Sequence, residues 1–102
     1  MSEQLLSGVK VLDLTHYIAG PYCTKLLADY GADVIKVERP GHGEGARRLG
    51  PFYKDHAHPE KSGLFLHLNT NTRGVTLNLK GSRGLKLFMQ LVGWADVVVE
   101  SF

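Results

Sequence analysis

The segment Thr15-His16-Tyr17-Ile18-Ala19-Gly20-Pro21 follows an apolar stretch and precedes an amphipathic one. At a strand-to-helix junction, such a turn offers unpaired backbone N–H groups and partial positive charge, which suit a phosphate. Ala19 and Gly20 leave the backbone open to close approach. The turn is not GxGxxG, so it is no dinucleotide fingerprint. Spacing alone leaves a ligand site and a purely structural turn equally open.

Other residues carry weaker signals. Glu38-Arg39 closes an apolar run. In dinucleotide folds an acid there holds a ribose and a nearby arginine holds a ribose phosphate, although a solvated charge pair is as good a reading. Arg47 and Arg48 lie among glycines and could clamp an anion with planar forks, but an exposed basic loop is the favoured reading. His56-x-His58, with Asp55 and Glu60, has a metal-like composition but no second ligand pair at a recognisable spacing, so zinc is not expected. His16 reads as a hydrogen-bonded structural histidine rather than a general base. No local motif supports Ser-His-Asp catalysis.

The elements that must position these groups are legible. Val9, Val11, Leu12 and Leu14 form a short strand interrupted by Asp13. Near-continuous apolar runs suit a parallel strand covered on both faces. Gly20-Pro21 opens a helix, where proline loses no hydrogen bond. Cys23, Leu26, Leu27 and Tyr30 fall on one helical face. Cys23 is therefore expected in the core, and Gly31 is expected to end the helix. Val34, Ile35 and Val37 make a second strand. Residues 39–62 hold three of the four prolines, several glycines and three histidines, and read as a long loop with short helical turns. Loops beyond about 12–15 residues are usually functional or mobile. Residues 63–68, GLFLHL, fit either a strand or a helical turn. Val75, Leu77 and Leu79 alternate as a third strand. Gly81-Ser82 opens a helix with Leu85, Phe88, Met89 and Val92 on one face, and residues 96–100, DVVVE, form the last strand. Alternation of strands and helices predicts an α/β fold, a Rossmann-like parallel sheet with flanking helices.

The chain of 102 residues allows one domain. A formal net charge of +2 gives no basis for a nucleic-acid or membrane partner. No apolar run reaches the roughly 20 residues of a membrane span. Residues 1–8 are polar, so no signal peptide is expected and a cytoplasmic location is the default. One cysteine excludes an internal disulfide.

The AGP turn, the LLADYGADVIKVERPG run, and the later VTLNLK and ADVVVESF segments resemble the N-terminus of class III (CaiB–BaiF) CoA-transferases. Residues 1–102 would then be the N-terminal portion of that family's Rossmann-like domain, with the remainder of the enzyme absent. The resemblance implies coenzyme A as the bound group, acyl-CoA and carboxylic acids as substrates, and an interlocked homodimer for the full-length form. By the same likeness Ile18 and Ala19 contact CoA, and Arg39 contacts its nucleotide end. Leu77, Asn78, Leu79 and Lys80 line the adenine and ribose pocket, together with Ser101 and Phe102. Asn78 and Ser101 replace the family's commoner Asp and Asn, and both keep a hydrogen-bonding side chain. Ile18 stands where formyl-CoA transferase has a glutamine, which argues against oxalate or formate. The family mechanism uses a nucleophilic aspartate expected beyond residue 102. None of Asp13, Asp29, Asp33, Asp55 or Asp96 stands in its motif, so no catalytic residue is assigned here.

Two alternatives remain at this point. A 2-methylacyl-CoA racemase shares the layout, but the long 41–62 loop favours a transferase. A small non-catalytic nucleotide-binding or interaction module is opposed by the bare, very apolar last strand, since parallel strands are normally covered on both faces. The intact mass of the native product separates these readings: a mass several times that of this chain would mark it as the N-terminus of a whole transferase. A mass matching 102 residues would leave binding, or assembly with a separate partner, as its role.

Overall fold

The computed structural model describes residues 4–102, so the first three residues of the polar start lie outside it. Four strands alternate with three helices: β1 (Lys10–Leu14), α1 (Ala19–Asp29), β2 (Asp33–Glu38), α2 (Gly63–Leu68), β3 (Arg73–Thr76), α3 (Ser82–Trp94) and β4 (Val97–Glu100). The strands form one parallel sheet in the order β3-β2-β1-β4. This is the expected α/β architecture. The long loop carries two short 3-10 turns, Gly45–Arg48 and Tyr53–Asp55.

Central strand β1 is sealed from Val11 to Leu14. Val11 packs with Val34, Ala28 and Ala32, and Leu6, Val9, Leu27 and Val99 close around them. Asp13 lies on the same strand with no exposure, facing Lys36 of β2, which is 2% exposed. Their charged groups are 3.7 Å apart. A buried charge is tolerated only when paired and hydrogen-bonded. Asp13 accepts from Thr15 N–H (2.8 Å), from the Thr15 hydroxyl, and from the Thr24 hydroxyl on α1 (2.8 Å). Lys36 donates to the Thr15 carbonyl at 2.9 Å.

That network decides which face of α1 is buried, and it overturns one expectation. Pro21, Thr24 and Ala28 face the sheet. Cys23 is exposed, and Leu26 and Tyr30 are largely so. Hydrophobic spacing weighed Cys23, Leu26 and Tyr30 by size. The Thr24–Asp13 bond instead turns a stripe of small residues inward, letting the helix approach closely. Gly31, at φ +107, ends the helix as expected.

One boundary and one helix face differ from expectation, and one open reading is decided. β3 stops at Thr76, so Leu77 and Leu79 lie beyond it. Leu77 N–H still reaches the Glu38 carbonyl at 3.1 Å, but Asn78 Oδ1 then accepts from Lys80 N–H and turns the chain toward α3. On α3, Leu85 and Met89 face solvent, while Phe88 and Val92 are half-buried. GLFLHL resolves as a helix because the Ser62 hydroxyl caps Phe65 N–H at 3.2 Å. Among the described residues no helix is long and apolar enough to cross a membrane.

Lys36→Met should cost about 3–5 kcal/mol of folding stability, because it leaves a buried carboxylate without its counter-charge. Thr24→Val removes one of several donors to Asp13 and should cost only about 1–2 kcal/mol. Urea denaturation of the two variants checks the order.

Candidate functional site: a cleft at the carboxyl ends of the strands

In open α/β sheets, ligands bind outside the carboxyl ends of the strands, where the strand order reverses direction. Here the chain runs from β1 outward through β2 to β3, then returns to place β4 on the other side of β1. A cleft of about 570 Å³ opens at those ends. Every strand contributes to its wall: Leu14 at the end of β1 and His16 after it, Val37–Pro40 at the end of β2, residues 77–80 after β3, and Phe102 after β4. Its volume lies within the roughly 300–1,000 Å³ of ordinary ligand sites.

Of the residues singled out in the sequence, Arg39, Leu77, Asn78, Leu79, Lys80 and Phe102 come together around this cleft. Arg39 and Lys80 are exposed and carry its positive charge. Ile18 and Ala19 are exposed on the same β1–α1 turn as His16 but are not part of the wall. Ser101 also lies outside the wall and braces that turn, its hydroxyl accepting from His16 N–H at 3.1 Å. Gly84 lets α3 start close by, since a Cβ there would meet the Asn78 carbonyl oxygen at 2.0 Å.

The β1–α1 turn is held from two sides. Below it lies the Asp13–Lys36 network. Above it lies the loop after β2. The buried Glu44 carboxylate accepts from Tyr17 N–H and from Ala46 N–H (3.0 Å). Gly45 N–H donates to His16 Nδ1 at 3.3 Å. The Tyr17 ring lies so close to Gly45 that a Cβ there would clash with it. Tyr17 itself sits at φ +68, a left-handed conformation uncommon for an aromatic residue. Such backbone persists only where its surroundings over-determine it, and here Glu44 and Gly45 do so.

Glu38 anchors the loop. Arg47 donates to both its oxygens, Nε at 2.7 Å and an Nη at 2.8 Å, and Glu44 N–H adds a third bond at 2.7 Å. The guanidinium also lies 3.7 Å from the centre of the Phe65 ring. Two expectations are thereby corrected. Glu38 is not a free ribose acceptor, because its carboxylate is occupied. Arg47 is neither a solvated loop charge nor an anion clamp, because a bidentate internal partner holds it. Arg48 does remain exposed. Burial pushes the Glu38 carboxyl up, but the hydrogen bonds from Arg47 and Glu44 N–H and the charges of Arg47 and Lys36 outweigh it, leaving it below the usual carboxylate range. The Arg47 guanidinium is raised by its bond to Glu38, against the effect of burial.

Glu44 and His42 escaped sequence reasoning, as did the structural use of Asp13, Lys36 and Thr24. A charge inside an apolar strand pattern, at Asp13 and again at Lys36, was the available signal. His56 and His58 are exposed, and among the described residues no cluster of His, Cys, Asp or Glu could hold a metal ion.

Parallel sheet, strand-end cleft and braced turn define an α/β unit with a candidate ligand cleft. CoA-transferase family III matches over residues 6–102, and the chain belongs to that family. It is 50% identical over 97 residues to succinyl-CoA:mesaconate CoA-transferase of Haloarcula marismortui, covering 95% of this chain and 24% of that protein. It is 47% identical over 98 residues to formyl-CoA:oxalate CoA-transferase of Rhodopseudomonas palustris, covering 95% of this chain and 22% of that one. The crystal structure of a CAIB/BAIF family protein from Brucella suis superposes with a TM-score of 0.86 at 38% identity, covering 99% of this chain and 26% of that one. The chain thus spans about a quarter of the length of the curated relatives it matches.

Because Glu38 is held below its ordinary range, about 4.3 for a free glutamate, its pairing stabilises the fold above that range and is lost as pH falls through the lower folded value. Glu38→Gln should therefore be less stable than wild type at neutral pH, with the gap narrowing below about pH 4. Urea midpoints across pH 3–8 measure it.

Proposed function

We propose that this chain is the coenzyme A-gripping wall of an acyl-CoA:carboxylate CoA-transferase. The observation that carries the reading is the strand-end cleft that gathers Arg39, Leu77, Asn78, Leu79, Lys80 and Phe102. In this reading the Arg39 guanidinium and Lys80 ammonium take phosphate oxygens at the nucleotide end. Leu77, Leu79 and Phe102 offer apolar surface to the adenine, and Asn78 keeps its amide N–H₂ available because its Oδ1 already accepts from Lys80 N–H. Ile18, Ala19 and Ser101 complete the grip from the β1–α1 turn and the end of β4. The acceptor and donor acids enter through parts of the enzyme outside residues 1–102, and the whole enzyme is an interlocked homodimer of the cytosol.

The chemistry in this reading is nucleophilic. An aspartate carboxylate attacks the thioester carbonyl, a mixed anhydride forms, and the CoA thiolate leaves. Four of the five aspartates of this chain are engaged within it. Asp13 is sealed, Asp29 bonds Lys25 and Asn71, Asp33 pairs with Arg73, and Asp96 accepts from Lys10 N–H. Asp55 lies exposed in the loop. In this reading the nucleophile comes from outside this chain, because none of these aspartates stands in the motif that the family resemblance implies. The relatives described above are named as transferases, which favours transfer over racemisation. Ile18 favours an acyl group other than formyl or oxalyl. The formyl-CoA:oxalate relative does not alter that, since identity over a quarter of an enzyme reports the family rather than the acyl group.

Titrating CoA into wild type and Arg39→Ala tests the site. Weak binding by wild type, lowered about tenfold by the substitution, is expected for a charge-assisted phosphate contact. Equal affinities would remove Arg39 from the site. The chain alone should show no CoA transfer from an acyl-CoA to a carboxylic acid.

A further inference from the structure

His16 has a second edge. Its Nδ1 accepts from Gly45 N–H, and a nitrogen that accepts carries no proton, so the neutral ring bears its proton on Nε2. Among the described residues no hydrogen bond engages Nε2, and His16 is one of the side chains that line the strand-end cleft. The residue is held firmly in place. Its own N–H donates to Ser101, and the next N–H, that of Tyr17, donates to Glu44. Turning the ring over would break the Gly45 bond. The polar wall around it includes Arg39, Lys80 and His42, while the acid in the lining, Glu38, is neutralised by Arg47. A fixed N–H donor among cations suits an anionic oxygen.

We propose that His16 is a binding residue of this cleft, donating its Nε2–H to a phosphoryl oxygen of CoA, and that the loop after β2 selects the donating tautomer through Gly45 N–H. The proposal rests on the CoA reading given above. The loop then has a specific role, since the Glu38–Arg47 anchor fixes Glu44 and Gly45, and these fix the donor.

Two substitutions separate the ring's two edges. Asparagine can place an acceptor near Nδ1 but has nothing at Nε2. Glutamine can place an amide N–H near Nε2 but loses the acceptor for Gly45. CoA titration should show His16→Asn weakened about tenfold and His16→Gln within about threefold of wild type, the scale of one hydrogen bond to a charged oxygen. The opposite order would overturn the proposal, because the ring would then serve only to hold Gly45. Equal losses would overturn it too, since a donor at Nε2 would make no difference. A parallel titration with dephospho-CoA identifies the phosphate: a His16→Asn loss that persists points to the pyrophosphate, and one that vanishes points to the 3′-phosphate. A deficit in Arg39→Ala without one in His16→Asn defeats only this inference. Absent wild-type binding defeats the CoA reading itself, and no deficit in Arg39→Ala removes Arg39 from the site without deciding between the two. Nitrogen-15 spectra of the wild-type imidazole give a check that needs no variant. An unprotonated Nδ1 is expected, and a protonated Nδ1 in the neutral ring would overturn the proposal.

Discussion

Asp13 has no exposure to solvent, and the ammonium of Lys36 beside it has almost none. Each group alone would be costly inside the sheet, and together they are tolerable only because Thr15 and Thr24 satisfy the remaining valences. That requirement propagates. Thr24 must face inward, which sets the rotation of α1. Lys36 must reach the Thr15 carbonyl, which fixes where the chain leaves β1. The turn that opens the cleft is therefore placed from beneath by a polar network rather than by apolar packing.

A second ion pair does the same from above. Glu38 ends β2 on the wall of the cleft, and Arg47 binds it from a loop nine residues on. Glu44 and Gly45 then reach across to Tyr17 and His16, and Ser62 ties the loop's far end to α2 by bonding the Ala46 and Leu49 carbonyls at 2.8 and 2.7 Å. The long loop thus works as a buttress. Its glycines and arginines suggested mobility or anion capture, but Glu44, Gly45 and Ala46 are buried and Arg47 is held by Glu38. A chain segment without regular secondary structure can be rigid when its backbone N–H groups find buried carboxylates.

The family relationship and the geometry speak to different scales. Family membership follows from motifs spread along the chain and from the superposable fold. The arrangement of the cleft follows from four strand ends that are distant in sequence and adjacent in space. Half-exposed Val97 and Val98 on edge strand β4, and the unburied apolar residues of α1 and α3, are surfaces that a parallel sheet and its helices normally cover.

Strand and helix order, the helix stop at Gly31 and the parallel sheet were legible in the sequence, because hydrophobic period and glycine stereochemistry act locally. The VERPG and VTLNLK motifs also span most of the residues that line the cleft, whereas Ile18 and Ala19 of the AGP turn lie outside its wall. What the sequence could not decide was partnership. Glu38 pairs with Arg47 rather than with its neighbour Arg39, Cys23 turns outward because Thr24 turns inward, and β3 ends early because Asn78 takes up its own turn. Hydrophobic spacing ranks residues by how much apolar surface they could bury. Only the tertiary structure shows which buried charge must be satisfied, and from which side, because that depends on groups brought together by folding.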